Sequence, residues 1–166
     1  MSEVSKARYW INRLDLKPHP EGGHFAEVYR SEEKVPQSGL PDRFPASRSL
    51  STSIYFLLQK GEISAFHRIL SDELWYFHDG DPLEIFVIDE QGKLSRHLVG
   101  LTDEALPQVV IPHECWFASR TLGEYSLLGC NVAPGFDFQD FVMGTGFHLS
   151  RDYPHLKEII MEFTRQ

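Results

Sequence analysis

Apolar and polar residues along this chain alternate in short runs. Side chains of a strand point to opposite faces at each step, so a period of two marks a strand with one buried face. Such runs fall near residues 23–30, 52–59, 62–69, 73–78, 83–88, 93–99, 107–112, 114–120 and 125–133. Turn formers separate them: Gly61-Glu62, Asp79-Gly80-Asp81-Pro82, Asp89-Glu90-Gln91-Gly92 and Leu122-Gly123-Glu124. Many short strands joined by tight turns predict an antiparallel sandwich or jelly roll.

Helical spacing marks the two ends. Over 4–16, Val4, Ala7, Ile11 and Leu14 recur at helical intervals, Lys6, Arg8, Asn12 and Arg13 remain for solvent, and Pro18 and Pro20 follow. After Asp152, Pro154 suits a first helical turn, and Leu156, Ile159, Ile160 and Phe163 form one stripe. This second helix is expected to cover the outside of a sheet. Residues 34–50 carry three prolines and no period. They read as a long mobile loop: a lid bringing Arg43 or Arg48 to an anionic ligand, a surface connection, or an arm packed on a neighbouring subunit.

Composition adds bounds. At 166 residues, 42% hydrophobic and 24% charged, the chain suits one core, hence one domain over 1–166. A net charge of -8 weighs against nucleic acid or an anionic membrane as partner. No apolar run reaches the roughly 18 residues that span a bilayer, and the first residues lack the apolar centre of a signal peptide. A cytoplasmic address is the expectation. Cys115 and Cys130 lack C-x-x-C spacing and read as buried reduced thiols, a bridge between them being the alternative.

The candidate chemistry lies between Gly61 and Gly80. Alternation puts His67 and Ile69 on one face of a strand, with Glu73 facing back from the next, so a histidine and a carboxylate meet inside the sandwich. The spacing resembles the first signature of the cupin superfamily, G-x5-H-x-H-x3-E-x6-G, at Gly61, His67, Glu73 and Gly80, with Ile69 in place of the second histidine. The second signature aligns through Pro112, with Glu114 at its glycine, Phe117 at its histidine and Thr121 at its asparagine. Three blocks, H-P-E-G-G-H-F at 19–25, F-H-R-I-L-S-D-E-L-W at 66–75 and V-A-P-G-F-D-F-Q-D-F at 132–141, resemble the uncharacterised cupin-5-like branch. The resemblance implies an all-β, cupin-like double-stranded β-helix (jelly roll) with flanking N- and C-terminal helices, and a homodimer.

Two of the four usual metal ligands are gone, so neither metal nor other cofactor is expected. His24, His78 or His113 would have to complete a different ligand set, and His78 reads as a turn residue. His67 and Glu73 are the candidate catalytic residues, the imidazole to take a proton next to a carbonyl and the carboxyl to orient it or return a proton. Their plainer reading is a satisfied buried hydrogen bond. Trp75 and Phe77 share Glu73's face and Phe117 stands where a histidine would point inward, so these three are expected to wall the ligand; the wider aromatic set fills the core. Cys115, near His113, reads as a buried thiol, Glu21-Gly22-Gly23 as a sharp turn, and Asp137, Gln139 and Asp140 as a solvated loop or a polar contact. By analogy with sugar epimerases of the same barrel, the function expected first is a metal-independent isomerase or epimerase of a small polar metabolite, a carbohydrate or sugar nucleotide. A non-catalytic metabolite-binding or sensing protein, and a metal-dependent enzyme with an altered ligand set, are the alternatives.

Overall fold

The computed structural model describes residues 3–165, with side chains from residue 6 onward. Its elements run α1 (Glu3–Arg13), β1 (Lys17–Pro18), β2 (His24–Arg30), β3 (Lys34–Val35), β4 (Arg48–Ser49), β5 (Thr52–Gln59), β6 (Ser64–Arg68), β7 (Asp72–Gly80) and β8 (Leu83–Ile88). The chain continues through β9 (Leu94–Val99), β10 (Gln108–Ile111), β11 (Trp116–Thr121), β12 (Tyr125–Ala133), β13 (Val142–Met143), α2 (Gly146–Asp152) and α3 (Lys157–Glu162). A six-stranded sheet ordered β1-β2-β5-β12-β7-β10 faces a five-stranded sheet ordered β13-β6-β11-β8-β9, and all the strand pairs are antiparallel. This is the expected jelly roll.

Strand β8 shows how period two builds it. Leu83, Ile85 and Val87 point between the sheets, where they meet Phe56, Trp75, Phe117 and Leu128. Phe86 and Ile88 point outward, beneath Leu149, Ile160 and Phe163 of the C-terminal segment. Both faces of the strand are therefore covered, which is why all six of its residues are buried.

The outer face of the other sheet is covered by α1, where Ala7 packs with Leu57, Tyr125 and Leu127. Val4, expected on that stripe, has its side chain outside the described residues. The helix stops three residues before the expected Leu16. Asp15 adopts a φ of 51°, in the left-handed region that ends helices, and Leu16 folds back into the same cluster. Trp10 Nε1 and the Tyr125 hydroxyl both donate to Asp79 Oδ2, at 2.7 and 2.6 Å, and tie the helix to the sheet.

Three further segments differ from the sequence expectation. Residues 34–50 contain the β3–β4 ribbon, and Phe44 is fully buried. Arg43 donates to the Leu70 carbonyl at 2.7 Å, and Arg48 forms a buried ion pair with Asp140 at 2.5 Å. Both arginines are thus structural ties. His78 sits inside β7 at a bulge, where the pairing with β12 skips a residue. Helix α2 precedes the C-terminal helix, with the Thr145 hydroxyl accepting from the His148 amide at 3.2 Å as its cap.

Candidate functional site

A cavity enters the jelly roll at the β2 end of the larger sheet, with His67, Glu21, Glu73 and Cys130 at its depth. It has about 80 Å3 of room for the centres of water-sized spheres. At its rim the half-exposed Glu27 and Arg30 pair at 2.7 Å, and Arg30 also donates to the Phe136 carbonyl at 2.9 Å. Phe25, Phe136, Phe138 and Phe141 supply the aromatic wall. Phe138 is 53% exposed and stacks edge-on against Phe136 with ring centroids 4.9 Å apart.

Glu21 reaches this depth because of the glycines that follow it. Gly22 and Gly23 adopt φ of 116° and 72°, and a Cβ on Gly22 would lie 1.9 Å from the Ile63 carbonyl oxygen. The sharp turn so formed is closed by hydrogen bonds from His19 N to Gly23 O and from Gly22 N to His19 O. The Glu21 carbonyl accepts from Ala65 N on β6 at 2.8 Å, which sets the carboxylate beside the neighbouring strand.

On β6, His67 is 2% exposed. Its Nε2 lies 2.8 Å from Glu21 Oε2 and its Nδ1 2.7 Å from the Ala65 carbonyl oxygen. The Ala65 carbonyl only accepts, as does Glu21 when ionised, and against an ionised Glu21 both ring nitrogens donate and His67 is an imidazolium. Burial opposes that charge, but the Glu21 carboxylate, joined by the Ala65 carbonyl and Glu73, more than offsets it and holds the His67 pKa above its ordinary value. Burial likewise opposes ionisation of Glu21, and the facing His67 charge overrides it, holding Glu21 below the usual carboxylate range.

Glu73, on β7, has no cation of its own. Burial, reinforced by the Glu21 charge, pushes its pKa up to about 8, against the pull of His67 and of a hydrogen bond from the Cys130 thiol. At neutral pH it is a carboxylic acid. Burial also drives Cys130 far above the usual thiol range. His19 completes the group: its Nδ1 accepts from the Glu21 amide at 3.1 Å, and burial lowers its pKa, so the ring is neutral with its proton on Nε2.

His67 and Glu73 therefore line one cavity, together with two residues that sequence reasoning left without chemistry, Glu21 and His19. Trp75, Phe77 and Phe117 lie elsewhere. Trp75 is 1% exposed in the core between the sheets, packed edge-on against Phe56 and Phe117. Phe77 packs against that core, and Phe117 sits behind His67, ring centroids 4.1 Å apart. Face alternation gave their side of the sheet but not their depth along it. Phe136 and Phe138 stood in the wider aromatic set, while Phe25 and Phe141 carried no sequence signal beyond their place in the family blocks.

The remaining candidates, apart from Cys130, are outside the cavity. His113 pairs with Asp72 at 2.9 Å on the surface, His24 faces Glu62, and His78 packs on Tyr55. Cys115 and Cys130 are free and buried, and burial raises the Cys115 pKa, away from a reactive thiolate. Asp140 is the buried partner of Arg48, and Asp137 caps the turn before it. Among the described residues, no helix is long and apolar enough to cross a membrane.

A metal of the kind implied by the barrel does not fit these residues. Ile69 and Phe117 cannot ligate, and both nitrogens of His67 are already engaged. Among the described residues, no group of three or more His, Cys, Asp or Glu is arranged to hold a metal ion.

A family model described as Cupin superfamily (DUF985) matches residues 8–144. The chain is 37% identical to a hypothetical protein from Leishmania major, covering 96% of this chain and 99% of that one with a TM-score of 0.86. It is 39% identical to a protein from Shewanella oneidensis, covering 96% and 97% with a TM-score of 0.84. Oxalate decarboxylase from Bacillus subtilis shares the fold at 18% identity and a TM-score of 0.56, over 90% of this chain and 37% of that one. No curated protein matches it. With its jelly roll, its paired His67 and Glu73 spacing and a family match over most of its length, this chain belongs to the cupin superfamily, in the DUF985 family.

Proposed function

We propose that this small-molecule-binding cupin is an isomerase that moves a proton next to a carbonyl group, using its own side chains as acid and base. One observation carries the reading: two buried carboxyl groups line one cavity, Glu21 paired with His67 at 2.8 Å and Glu73 with no cation of its own, which pushes their pKa values in opposite directions. Environments that push two titratable groups apart assign the base and the acid. The expectation that His67 is the base is revised, because its two nitrogens are committed to Glu21 and Ala65.

In the proposed step Glu21 takes the proton from the carbon beside the carbonyl, and the electron pair of that bond moves toward the carbonyl oxygen. Glu73 delivers its proton to the resulting enolate, at oxygen or at a carbon conjugated with it. The substrate leaves as an isomer, and return of the proton from Glu21 to Glu73 resets the site. His67 keeps Glu21 ionised until it reacts. The neutral His19 N–H donates to the oxygen where negative charge grows. The ring wall excludes water and holds the substrate flat.

The test is deuterium uptake from D2O at the carbon beside the carbonyl, read by mass spectrometry. The panel is D-fructose, dihydroxyacetone, cyclohexanone and cyclohex-2-enone. Wild type is expected to exchange at least one of them about a hundredfold or more faster than Glu73→Gln. Its rate should fall as pH rises through about 8, where Glu73 loses the proton it must give. Exchange by Glu73→Gln at the wild-type rate would sink the assignment. Binding by the wild type without exchange would make the protein a metabolite binder.

A further inference from the structure

The cavity states what it can hold as well as what it can do. Among the described residues, each cation that lines it is already paired: His67 with Glu21, and Arg30 with Glu27 and the Phe136 carbonyl. Nearby Arg48 is closed by Asp140. An anionic ligand would have to break one of these pairs, inside a protein whose net charge is already -8.

Hydrogen-bonding capacity is as limited. The Thr52 hydroxyl accepts from Phe136 N at 2.9 Å, and the Cys130 thiol is turned to Glu73. The donors left for a ligand are the Glu73 carboxyl proton, the His19 N–H and the Thr52 hydroxyl proton, beside acceptor oxygens of Glu21, Glu73 and, at the rim, Glu27. Two of these donors suffice for the two lone pairs of one carbonyl oxygen. The rest of the lining is apolar, including Phe25, Ile54, Ile69, Val132 and Phe141. Each sugar hydroxyl set against it would lose its water partners for about 1–3 kcal/mol.

We propose that the ligand is an uncharged cyclic carbonyl compound, a ring ketone, enone or lactone, with its oxygen at the Glu73 end and its ring among the phenylalanines. This rests on the proton-transfer reading for its chemistry but on the cavity's pairing and lining for its class. It replaces the carbohydrate or sugar nucleotide suggested by the shared barrel.

Saturation-transfer NMR tests the class without requiring turnover. The probes are cyclohex-2-enone, cyclohexanecarboxylate, D-glucose and D-glucose 6-phosphate, each titrated to obtain a dissociation constant. The enone should bind at least tenfold more tightly than the other three. Val132→Phe, which fills the cavity, should weaken it at least tenfold. Glu84→Ala, away from the cavity, should change it less than threefold, and a wild-type circular dichroism spectrum guards against a Val132→Phe protein that does not fold. Equal or tighter binding of the carboxylate, sugar or sugar phosphate overturns the proposal, and so does no binding of the enone. If the enone binds and no panel member exchanges deuterium, the ligand class stands and the isomerase reading fails. If a sugar binds and exchanges in a Glu73-dependent way, the reverse holds.

Discussion

Two buried glutamates on successive strands, Glu73 and Glu84, are set in opposite ways. Glu84, on the outer face of β8, is 3% exposed and takes hydrogen bonds from two arginines, from Arg96 and at 2.7 Å from Arg120. Arg120 reaches on to Glu162 at 2.7 Å and lies over the Phe163 ring, so the carboxylate clamps α3 to the sheet. Glu73 is 8% exposed, has no arginine, and shares its surroundings with a histidine already given to another carboxylate. Burial alone therefore does not mark a reactive acid. A buried carboxyl becomes one when the fold withholds its cation, because it then keeps a proton that it can give away.

The largest effect should come from unpairing the cavity floor. His67→Asn leaves Glu21 buried without its partner, and urea denaturation at pH 7 should show a loss of about 4 kcal/mol. The double variant with Glu21→Gln should recover at least 1 kcal/mol of that loss. A single-variant loss under 1 kcal/mol would mean that the pair is not the organising contact.

Glu73→Gln should flatten the pH dependence of stability. With its folded pKa raised to about 8, above the ordinary carboxyl value of 4.5, wild type binds an extra proton when folded between those pH values. That contribution is fully present below the unfolded pKa and is lost as pH rises through the folded one. Relative to pH 5, wild type at pH 9 should thus lose on the order of 4 kcal/mol more stability than Glu73→Gln. Parallel pH profiles for the two proteins would contradict a protonated Glu73.

Glu84→Ala should cost less, about 2 kcal/mol, because the freed arginines are partly exposed and can turn to water. It should leave deuterium exchange and enone affinity within threefold of wild type, as expected of a structural clamp away from the cavity. A hundredfold loss of exchange at constant fold would erase the distinction between the two glutamates.

The fold was largely legible in the sequence. Runs at 52–59, 83–88 and 125–133 coincide with β5, β8 and β12, since strands that bury one or both faces repeat their pattern without interruption. Two-residue strands such as β3 and β13 hold no full period, and α2 begins among Gly144, Thr145 and Gly146, whose glycines disfavour a helix. Among the cavity residues, His67 and Glu73 were singled out because they lie on successive strands at a diagnostic spacing. Glu21 was not, because its partner is distant in sequence and its local signal was that of a turn. Trp75 had the right face and the wrong depth: two residues along β7 from Glu73, it is already in the closed core.

The turn that carries Glu21 also constrains how this chain can change over generations. Replacing either member of the Glu21 and His67 pair alone strands the other as a buried charge. A lineage leaving this arrangement must pass through a weakened intermediate, or exchange both positions within a short interval. Gly22 adds a third restriction, since any side chain there collides with the Ile63 carbonyl. Positions far apart in the gene are thereby bound to a common fate, and relatives of this protein should differ at Glu21 chiefly where they also differ at His67.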